Sequence, residues 1–462
     1  MIKTLSYKSK NMNADTLTPI GIFQNMDGKK KFLLESSYQY EAKGKFSFIG
    51  SNPYQEIIGS GNTTTVIDCQ TKEEQVIDQN ILQYVKENLP NIEYELPLAF
   101  TGGAVGYIGY DAIRAFAPIG EELPDELEMP DVHFMVFENL IVYEHGNDTV
   151  HIIATNLHNE KEEQLDERIN QIEKSLYQHK PEQENEAEAL EFNFKPDIPK
   201  EKFIEKVKAA QKYIHSGETL QIVISQRMKA DFQGDPFRFY RKLRRANPSP
   251  YMFYIDFEDY LIIGASPESL VQATGKHVVT NPIAGTKPRA NSEAEEKQVI
   301  KDFLKDPKEL SEHEMLVDLS KSDFSKVCDP ETITVPTYMK IEKYQHVIHI
   351  VSEVQGELKE DATSIDALIA CLPAGTVSGA PRLRAMQIIN EIEEKKRGFY
   401  SGGIGYIGFN RDLNMALAIR TMAVKDGSAY LQAGAGIVAE SNPEMEYYET
   451  MHKSRSLMEV TK

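Results

Sequence analysis

The sequence predicts a protein that combines β-strands with α-helices, and two stretches show the two patterns clearly. Residues 31–50 alternate between apolar and polar side chains around Lys43–Gly44, which is typical of two strands joined by a turn. Residues 199–216 instead place apolar side chains three and four positions apart and end at Gly217, which predicts an amphipathic helix. An apolar strand pattern follows over residues 220–226. The 462 residues can bury a large core, and this length predicts two or three domain-sized units.

The composition argues against several classes of protein. A formal net charge of −20 disfavours nonspecific binding to nucleic acids and to anionic membranes. No apolar run approaches the length of a membrane span, and the basic N-terminal residues are not followed by the apolar core of a secretory signal. The three cysteines, Cys69, Cys328 and Cys371, lack metal-binding spacing. So few cysteines suit a reducing cytoplasm better than a disulfide framework.

A change in composition predicts a boundary near the middle of the chain. Residues 178–197 are acidic, poor in apolar side chains and interrupted by Pro181 and Pro196, which indicates a linker. We therefore expect an N-terminal region over residues 15–177 and a C-terminal region over residues 198–455.

Two glycine-rich segments nearly repeat each other. Residues 100–110 read FTGGAVGYIGY, and residues 399–409 read FYSGGIGYIGF. Neither segment is a phosphate-binding loop, because no Lys-Ser or Lys-Thr pair follows the glycines. Glycines that alternate with aromatic residues favour closely packed sheet segments. We expect two corresponding strands, although the match is too short to establish a duplication.

The segment around which the functional prediction is built covers residues 433–453. It predicts a strand, a glycine turn at Gly434–Gly436 and a helix capped by Ser441. Glu446 and Glu449 share one face of that helix, because positions three apart are neighbours on its surface. The two carboxylates would therefore lie beside a turn whose backbone N–H groups can approach a ligand closely.

A second helix repeats the same spacing of acids. Asp306 is a suitable N-cap, Pro307 suits the first turn, and Glu309 and Glu312 follow on one face. If the two helices face each other, four carboxylates surround one point and require a hard divalent cation. The alternative is that Glu309 closes a capping box and that the other acids are solvated.

Two polar residues stand within apolar surroundings. Gln221 lies on an apolar strand pattern, where it is either exposed at an edge or directed into a site. Arg420 lies with Tyr400 at predicted strand positions. Because a buried cation needs a partner, Arg420 requires either an anionic ligand or a neighbouring Glu.

The histidines and hydroxyl groups leave further alternatives open. His346 and His349 are three residues apart, which permits a metal pair, although His349 between two isoleucines is by default a core residue. Thr376 or Ser378 could cap a helix that begins at Pro381, and such a helix start is suited to binding a carboxylate.

Taken together, these segments closely resemble the chorismate-binding enzymes, and within them the large subunits (component I) of anthranilate synthases. The resemblance covers roughly residues 15 to 455. The segments that carry it occur in this order: LLES, NPSPYMFY, PIAGTKPR, KELSEHEMLVDL, HVIHIVSEVQGEL, PAGTVSGAPRLRAM, YSGGIGYIGF, ALAIRTM and GAGIVAESNPEMEYYET.

The resemblance implies a fold and a reaction. The fold is α+β, with two antiparallel sheets packed as a sandwich and surrounded by helices. The reaction is the Mg²⁺-dependent amination of chorismate with ammonia, followed by elimination of pyruvate, in the cytoplasm. No glutaminase Cys-His-Glu set is evident in this chain, so a separate glutamine amidotransferase subunit is expected to supply the ammonia.

The resemblance also implies roles for individual residues. The expected catalytic residues are His349, Glu309 and Thr376, with Glu309 as the candidate acid because neighbouring carboxylates would raise its pKa. The expected substrate-binding residues are Gly285, Thr286, Tyr400, Arg420, Gly434, Ala435, Gly436 and Gln221. The expected Mg²⁺ ligands are Glu312, Glu449 and Glu446, and the expected inhibitor site for tryptophan comprises Glu35, Ser36, Pro250, Tyr251 and Met252.

Two positions narrow the reaction within the resemblance. Relatives that add water place a Lys base where this chain has Gln221, and a Gln cannot deprotonate water. Aminodeoxychorismate synthases commonly place a Lys that attacks the ring where this chain has Ala284. Both positions favour the anthranilate reaction. A departure from the family pattern is the segment over residues 318–326, where two Lys replace Arg and two Ser replace Gly.

Two alternatives remain at this stage. Aminodeoxychorismate synthase component I of the folate branch would share the metal and substrate residues. An inactive amino-acid sensor would keep Ser36 and Tyr251 but would not need Glu309, Glu312, Glu449 or Arg420.

Overall fold

The computed structural model describes residues 7–36, 45–178, 192–290, 292–344 and 347–460. In these residues the chain forms two large antiparallel sheets with helices around them. Most of the predicted linker, and His346, lie outside the described residues.

The strands before residue 192 are divided between the two sheets. The elements in this part of the chain are β1 (Tyr7–Asn13), α1 (Pro19–Asn25), β2 (Phe32–Glu35), β3 (Phe46–Gly50), β4 (Gln55–Ser60), β5 (Thr63–Asp68), β6 (Glu74–Ile77), α2 (Ile81–Asn88), β7 (Gly103–Ile108), β8 (Val132–Phe137), β9 (Asn139–Glu144), β10 (Thr149–Thr155) and α3 (Glu162–Leu176).

The elements after residue 192 complete the two sheets. They are β11 (Lys195–Pro196), α4 (Lys200–His215), β12 (Gln221–Asp231), α5 (Pro236–Ala246), β13 (Tyr251–Asp256), β14 (Tyr260–Ser266), β15 (Ser269–Thr274), β16 (His277–Thr280), β17 (Ile283–Pro288), α6 (Glu293–Phe303), α7 (Pro307–Val327), β18 (Thr334–Lys343), β19 (Val347–Glu357), α8 (Ser364–Cys371), β20 (Gly379–Ala380), α9 (Arg382–Ile392), β21 (Gly403–Gly408), β22 (Leu413–Leu417), β23 (Thr421–Lys425), β24 (Ser428–Ile437) and α10 (Pro443–Met458).

Each sheet contains twelve of these strands. The first runs β1-β10-β9-β3-β2-β13-β14-β23-β24-β12-β11, with β20 on β12, and the second runs β17-β19-β16-β15-β22-β21-β7-β8-β4-β5-β6, with β18 on β19. Strands from both sides of the predicted linker are therefore neighbours in both sheets, at β2–β13 and at β7–β21. The boundary over residues 178–197 remains a prediction.

An aromatic layer joins the two sheets. Phe32 of the first sheet meets Phe137 of the second at 4.7 Å between ring centroids, and Phe48 meets Tyr406 at 5.6 Å. These side chains are buried, and rings of this size dominate the energetics of a core. Helices cover the outer faces, with α1, α3 and α5 on the first sheet and α2, α7 and α8 on the second. The predicted sandwich of two antiparallel sheets is confirmed.

The two glycine-rich segments form β7 and β21, which pair directly with each other. Gly106 lies opposite Gly405, and both strands are buried. A Cβ at Gly106 would come 1.9 Å from the His133 carbonyl oxygen, and one at Gly405 would come 2.0 Å from the Asn414 oxygen. The glycines are needed because neighbouring backbones approach too closely for a side chain.

The helices α7 and α10 carry the two predicted pairs of acids. Helix α7 begins as expected, with Asp306 accepting a hydrogen bond from the N–H of Lys308. The predicted cap of α10 is wrong by one residue, because Asn442 accepts from the first-turn N–H groups. Ser441 instead accepts from the Val438 N–H at 3.1 Å, and this bond turns the chain just before the cap.

The expected glycine turn before α10 is wrong. Gly434–Gly436 lies inside β24 and pairs with Val223–Ser225 of β12. The pairing of β23 with β24 ends at Leu431, so among the described strands the other edge of residues 432–437 has no neighbour. A strand with one open edge can present backbone groups to a ligand just as a turn can.

No helix in the described ranges is both long and apolar enough to cross a membrane.

Candidate functional site

The candidate active site begins at the first residue of β12, where this strand meets helix α7. Gln221 is only 4% exposed, and its Nε2 donates to Glu312 Oε1 at 3.1 Å. A Cβ on Gly436 would come 2.7 Å from the same Nε2, so the glycine leaves room for the amide. Gln221 is therefore not exposed at a sheet edge, and its amide is directed toward Glu312.

Glu312 of α7 and Glu446 of α10 share the same electrostatic surroundings. Burial is the largest influence on both carboxyls and raises the pKa of each. Glu309 raises the pKa of Glu312 further, and Glu449 raises that of Glu446 further. Lys308 and Lys453 lower the pKa of both. The two acid pairs predicted from the sequence therefore lie around the same two lysines.

Lysines also contact the outer acid of each pair. Lys287 Nζ lies 2.9 Å from Glu309 Oε1, and Lys453 Nζ lies 2.7 Å from Glu449 Oε1. Glu309 thus forms an ion pair with Lys287 in addition to lying near the carboxyl of Glu312. Glu449 remains half-exposed beside Lys453.

The acids fit a Mg²⁺ site in which the protein supplies only part of the ligands. Within the described ranges no three His, Cys, Asp or Glu side chains come close enough to form a complete metal site. Mg²⁺, however, commonly takes one or two carboxylates and completes its shell with water and substrate oxygens. Glu312 and Glu446 are suitable carboxylates, because their burial disfavours the charged form unless a cation is close.

Arg420 contacts α10 and lies in the three-residue connection from β22 of the second sheet to β23 of the first. Its φ is +51°, because the chain turns sharply to change sheets. Its Nη1 donates to the Lys453 carbonyl oxygen at 2.7 Å, and burial lowers its pKa. Glu449 raises the pKa of Arg420, but among the described residues no carboxylate lies within ion-pair distance of it, so an anionic ligand would supply a closer partner.

Tyr400 belongs to the same place. Its hydroxyl would lie 2.8 Å from a Cβ on Gly434, and its ring contributes to the electrostatic surroundings of Arg420. The strand positions predicted for Tyr400 and Arg420 are wrong, since both residues lie in connections beside strand ends. Such connections can place polar atoms at the end of a sheet, whereas the side chains of a paired strand point to its two faces.

His349 and Gly285 meet at one hydrogen bond. The distance from His349 Nδ1 to the Gly285 oxygen is 2.7 Å, so Nδ1 carries the proton and Nε2 is the acceptor atom of the ring. Burial lowers the pKa of His349, and Arg420 lowers it further, which places the imidazole beside the same cation. Thr286 follows in β17, but its side chain lies outside the described part of the chain.

Thr376 does not cap a helix. It lies in the short 3₁₀ turn Gly375–Val377, and α9 begins later, after Pro381. Its Oγ1 instead donates to Glu268 Oε1 at 2.8 Å. A hydroxyl group donates more strongly to a carboxyl oxygen that carries charge than to a neutral acceptor, and this favours the contact with buried Glu268.

Glu268 is a candidate functional residue that was not predicted from the sequence. This residue is 8% exposed, and burial raises the pKa of its carboxyl to about 7, with Thr376 and Lys453 opposing the shift. A usable signal was present, because Glu268 is a single acid between the strands β14 and β15. Strand ends with isolated acids are common places for functional groups.

Lys453 lies on helix α10 and is not among the residues predicted from the sequence. Its Nζ donates to the Gly434 oxygen at 2.9 Å and pairs with Glu449. It also influences the pKa of Glu268, Glu312 and Glu446. Lys453 is therefore the cation that connects the acids of the site.

A cavity of about 280 Å³ lies between the two sheets, and we call it the inter-sheet cavity. Its lining includes all five residues expected at an inhibitor site, namely Glu35, Ser36, Pro250, Tyr251 and Met252. Glu35 Oε2 accepts from Tyr240 at 2.7 Å and from Arg244 at 2.9 Å. Within the described residues, Glu35 Oε1 and Ser36 Oγ are buried without a hydrogen-bond partner.

Comparison with known proteins places the chain in a family. The family of chorismate binding enzymes matches residues 29–459. Anthranilate synthase component 1 of Lactococcus lactis is 42% identical over 458 residues, which cover 98% of this chain and 99% of that protein. The protein of the same name from Aquifex aeolicus is 40% identical over 459 residues, covering 96% of this chain and 92% of that protein.

Solved structures agree with the sequence relatives. Anthranilate synthase component I from Streptococcus pneumoniae has a TM-score of 0.84 at 39% identity, covering 97% of this chain and 99% of that one. The menaquinone-specific isochorismate synthase of Escherichia coli has a TM-score of 0.75 at 16% identity, covering 99% and 95%, which indicates a shared fold. Since the family match extends over nearly the whole chain and includes both acid helices, Gln221 and Arg420, this chain belongs to the chorismate-binding enzymes.

Proposed function

We propose that this enzyme is the aminating, component I subunit of an anthranilate synthase. It would convert chorismate and ammonia into anthranilate, pyruvate and water. The observation that carries the proposal is Gln221, a buried amide at the place where water-adding relatives have a Lys base. An amide cannot deprotonate water, whereas neutral ammonia attacks without prior deprotonation.

The charges of the site suit a dianion with two separated carboxylates. The enolpyruvyl carboxylate would bind Arg420, with the Tyr400 hydroxyl beside it. The ring carboxylate would lie near Glu312 and Glu446, held through Mg²⁺, which would withdraw electron density from the ring. The backbone of Gly285, Thr286 and Gly434–Gly436 would line the pocket between the two ends.

The proton donor is better assigned to Glu268 than to Glu309. Ammonia attacks the ring carbon beside the one that bears the carboxylate, and the ring hydroxyl leaves with a proton as water. A carboxyl with a pKa of about 7 still carries that proton near neutral pH, whereas Glu309 is engaged by Lys287. Thr376 would orient Glu268 through their hydrogen bond.

The second half of the reaction requires a base. Loss of pyruvate aromatises the ring, and a ring proton must leave with it. His349 is suited to accept this proton, because burial keeps its imidazole neutral and Nε2 is the acceptor atom.

The decisive experiment supplies the purified chain with chorismate, Mg²⁺ and ammonium, and measures anthranilate fluorescence and pyruvate. We expect both products in equal amounts, and no activity after chelation of the metal until Mg²⁺ is restored. A non-aromatic amino product without pyruvate would instead identify the aminodeoxychorismate reaction.

We propose that a separate glutamine amidotransferase subunit supplies the ammonia. The chain alone should use ammonium but not glutamine. Glutamine-dependent anthranilate formation by the pure chain would contradict this prediction.

We propose further that tryptophan inhibits the enzyme by binding in the inter-sheet cavity. Glu35 Oε1 lacks a donor and would accept from the ammonium group, and the aromatic rings of Phe48 and Tyr406 offer an apolar surface for an indole. Ser36→Ala should weaken inhibition at least tenfold and leave uninhibited turnover unchanged, whereas exposed Ser60→Ala should change neither. If Ser36→Ala is inhibited by the same tryptophan concentration as the wild type, tryptophan does not bind in this cavity.

A further inference from the structure

Arg397 is a fully buried cation that the mechanism above does not use. It follows helix α9, is 2% exposed and is among the largest completely buried side chains of the described chain. A buried charge is costly unless every donor finds a partner. Two of the donors of Arg397 bind Glu393, from Nε to Oε2 at 2.8 Å and from Nη2 to Oε1 at 2.7 Å.

The remaining donors of Arg397 reach the elements that carry the site. Its Nη1 donates to the Val377 oxygen at 2.7 Å, and Val377 directly follows Thr376. Its Nη2 donates to the Val223 oxygen at 2.8 Å, two residues beyond Gln221 on β12. One planar guanidinium therefore fixes the distance between the Thr376 turn and the strand of Gln221.

The acid partner is anchored on the same strand. Glu393 Oε1 accepts from the backbone N–H of Ser225 at 2.9 Å and from its Oγ at 2.8 Å. These bonds prevent the Arg397–Glu393 pair from moving independently of β12.

The faces of the guanidinium contact two aromatic rings. The Arg397 carbon Cζ lies 4.7 Å from the ring centre of Tyr110 and 5.8 Å from that of Tyr400. Such contacts are attractive and hold the ring in place. Tyr400 is the residue whose hydroxyl lies beside Gly434 at the proposed carboxylate site.

We propose that the buried Arg397–Glu393 pair is a positioning device that sets Thr376, β12 and Tyr400 in their catalytic arrangement. The inference rests on the proposed function, because those three elements surround the proposed chorismate site. A buried ion pair contributes little to stability compared with an apolar pair of the same size, so its orienting role is the stronger reason for it. Lys could not replace Arg, since one ammonium cannot reach three elements in a plane.

The test is the variant Arg397→Lys, assayed with chorismate, Mg²⁺ and ammonium at a temperature well below its unfolding transition. We expect kcat/KM to fall at least tenfold, with a raised KM for chorismate as well as a lowered kcat. The control is Arg168→Lys on α3, whose guanidinium is partly buried and binds Glu138, Glu160 and Asn139, none of which belongs to the site. This control should lower Tm by a similar amount without changing kcat or KM.

A milder variant keeps the proposal testable if Arg397→Lys does not fold. Ser225→Ala removes one of the bonds to Glu393 and should lower kcat/KM about threefold with little change in Tm. If Arg397→Lys and Ser225→Ala lower Tm but keep the kcat and KM of the wild type, as expected for Arg168→Lys, the positioning role is overturned. Wild-type enzyme in the same assay separates the two hypotheses, because a wild type that forms no anthranilate refutes the proposed function itself.

Discussion

At the scale of single residues, the candidate site contains side chains whose burial opposes their charge. Glu268 and Glu312 are carboxyls with raised pKa values, and Arg420 and His349 are basic groups with lowered ones, with burial as the largest cause in all four. Opposing shifts among neighbouring groups are typical of sites where protons are transferred or charged ligands are bound.

The first prediction separates the two candidate acids. Glu268→Gln should lower kcat roughly 100-fold or more, which is the usual contribution of a positioned acid. Because the donor is the protonated form, wild-type kcat should also fall as pH rises above about 7. If Glu309→Gln lowers kcat with ammonium more than Glu268→Gln does, Glu309 is the proton donor.

The second prediction concerns the stability that Glu268 governs. Its pKa is raised from 4.5 to about 7 on folding, so the folded state holds the proton more tightly. The associated stability is fully present below about pH 4.5 and is lost as pH rises through 7. At about 1.4 kcal/mol per unit, the shift amounts to roughly 3 kcal/mol. Denaturant unfolding should therefore show Glu268→Gln gaining stability relative to wild type between pH 5 and pH 8, and a constant difference would exclude the shift.

At the scale of elements, the second sheet depends on two strands that come unusually close. In the β7–β21 pair, glycines allow backbone approaches that no side chain could tolerate. These strands form the centre of the second sheet, and β21 also lines the inter-sheet cavity with Ile404, Gly405 and Tyr406.

The third prediction tests this close approach. Gly405→Ala would place a Cβ 2.0 Å from the Asn414 oxygen, and the backbone would have to move. We expect a loss of about 3 kcal/mol or more in the free energy of unfolding. Gly146→Ala is the control, because a Cβ there meets no atom within 4 Å, and it should be nearly neutral. Equal stability of the two variants would contradict the observed packing.

At the scale of the whole molecule, a short route connects the inter-sheet cavity with the candidate active site. Strand β22 lines the inter-sheet cavity with Asn414 and Ala416, and the connection after its end carries Arg420 into the first sheet. A ligand that shifts β22 would therefore move the cation proposed to hold chorismate.

The fourth prediction follows from this connection. If tryptophan acts by displacing Arg420, it should raise the Kd of chorismate, and chorismate should raise the Kd of tryptophan by the same factor. Both constants can be measured by calorimetry without ammonium, so that amination is avoided. Inhibition that leaves chorismate affinity unchanged would show that tryptophan affects turnover alone.

Much of the architecture could be predicted from local patterns and from the resemblance. The strands within residues 31–50 and the helix over residues 199–216 were correctly placed, since alternation and helical spacing are local properties. The Gly434–Gly436 segment was misread as a turn, because glycine alone does not reveal that a neighbouring strand pairs with it. Glu268 was overlooked because its raised pKa comes from side chains distant in sequence.

The sequence by itself determined the family, the two acid pairs and the presence of an amide at residue 221, because these are properties of residue identity and spacing. Tertiary structure decided that Gln221 binds Glu312, that Glu268 is buried against Thr376 and that Arg420 lies beside Lys453. Each of these contacts joins residues at least 33 positions apart. Burial and partners over such distances arise only when the sheets and helices have packed, and burial is the largest cause of the shifted pKa values of Glu268, Glu312 and Arg420.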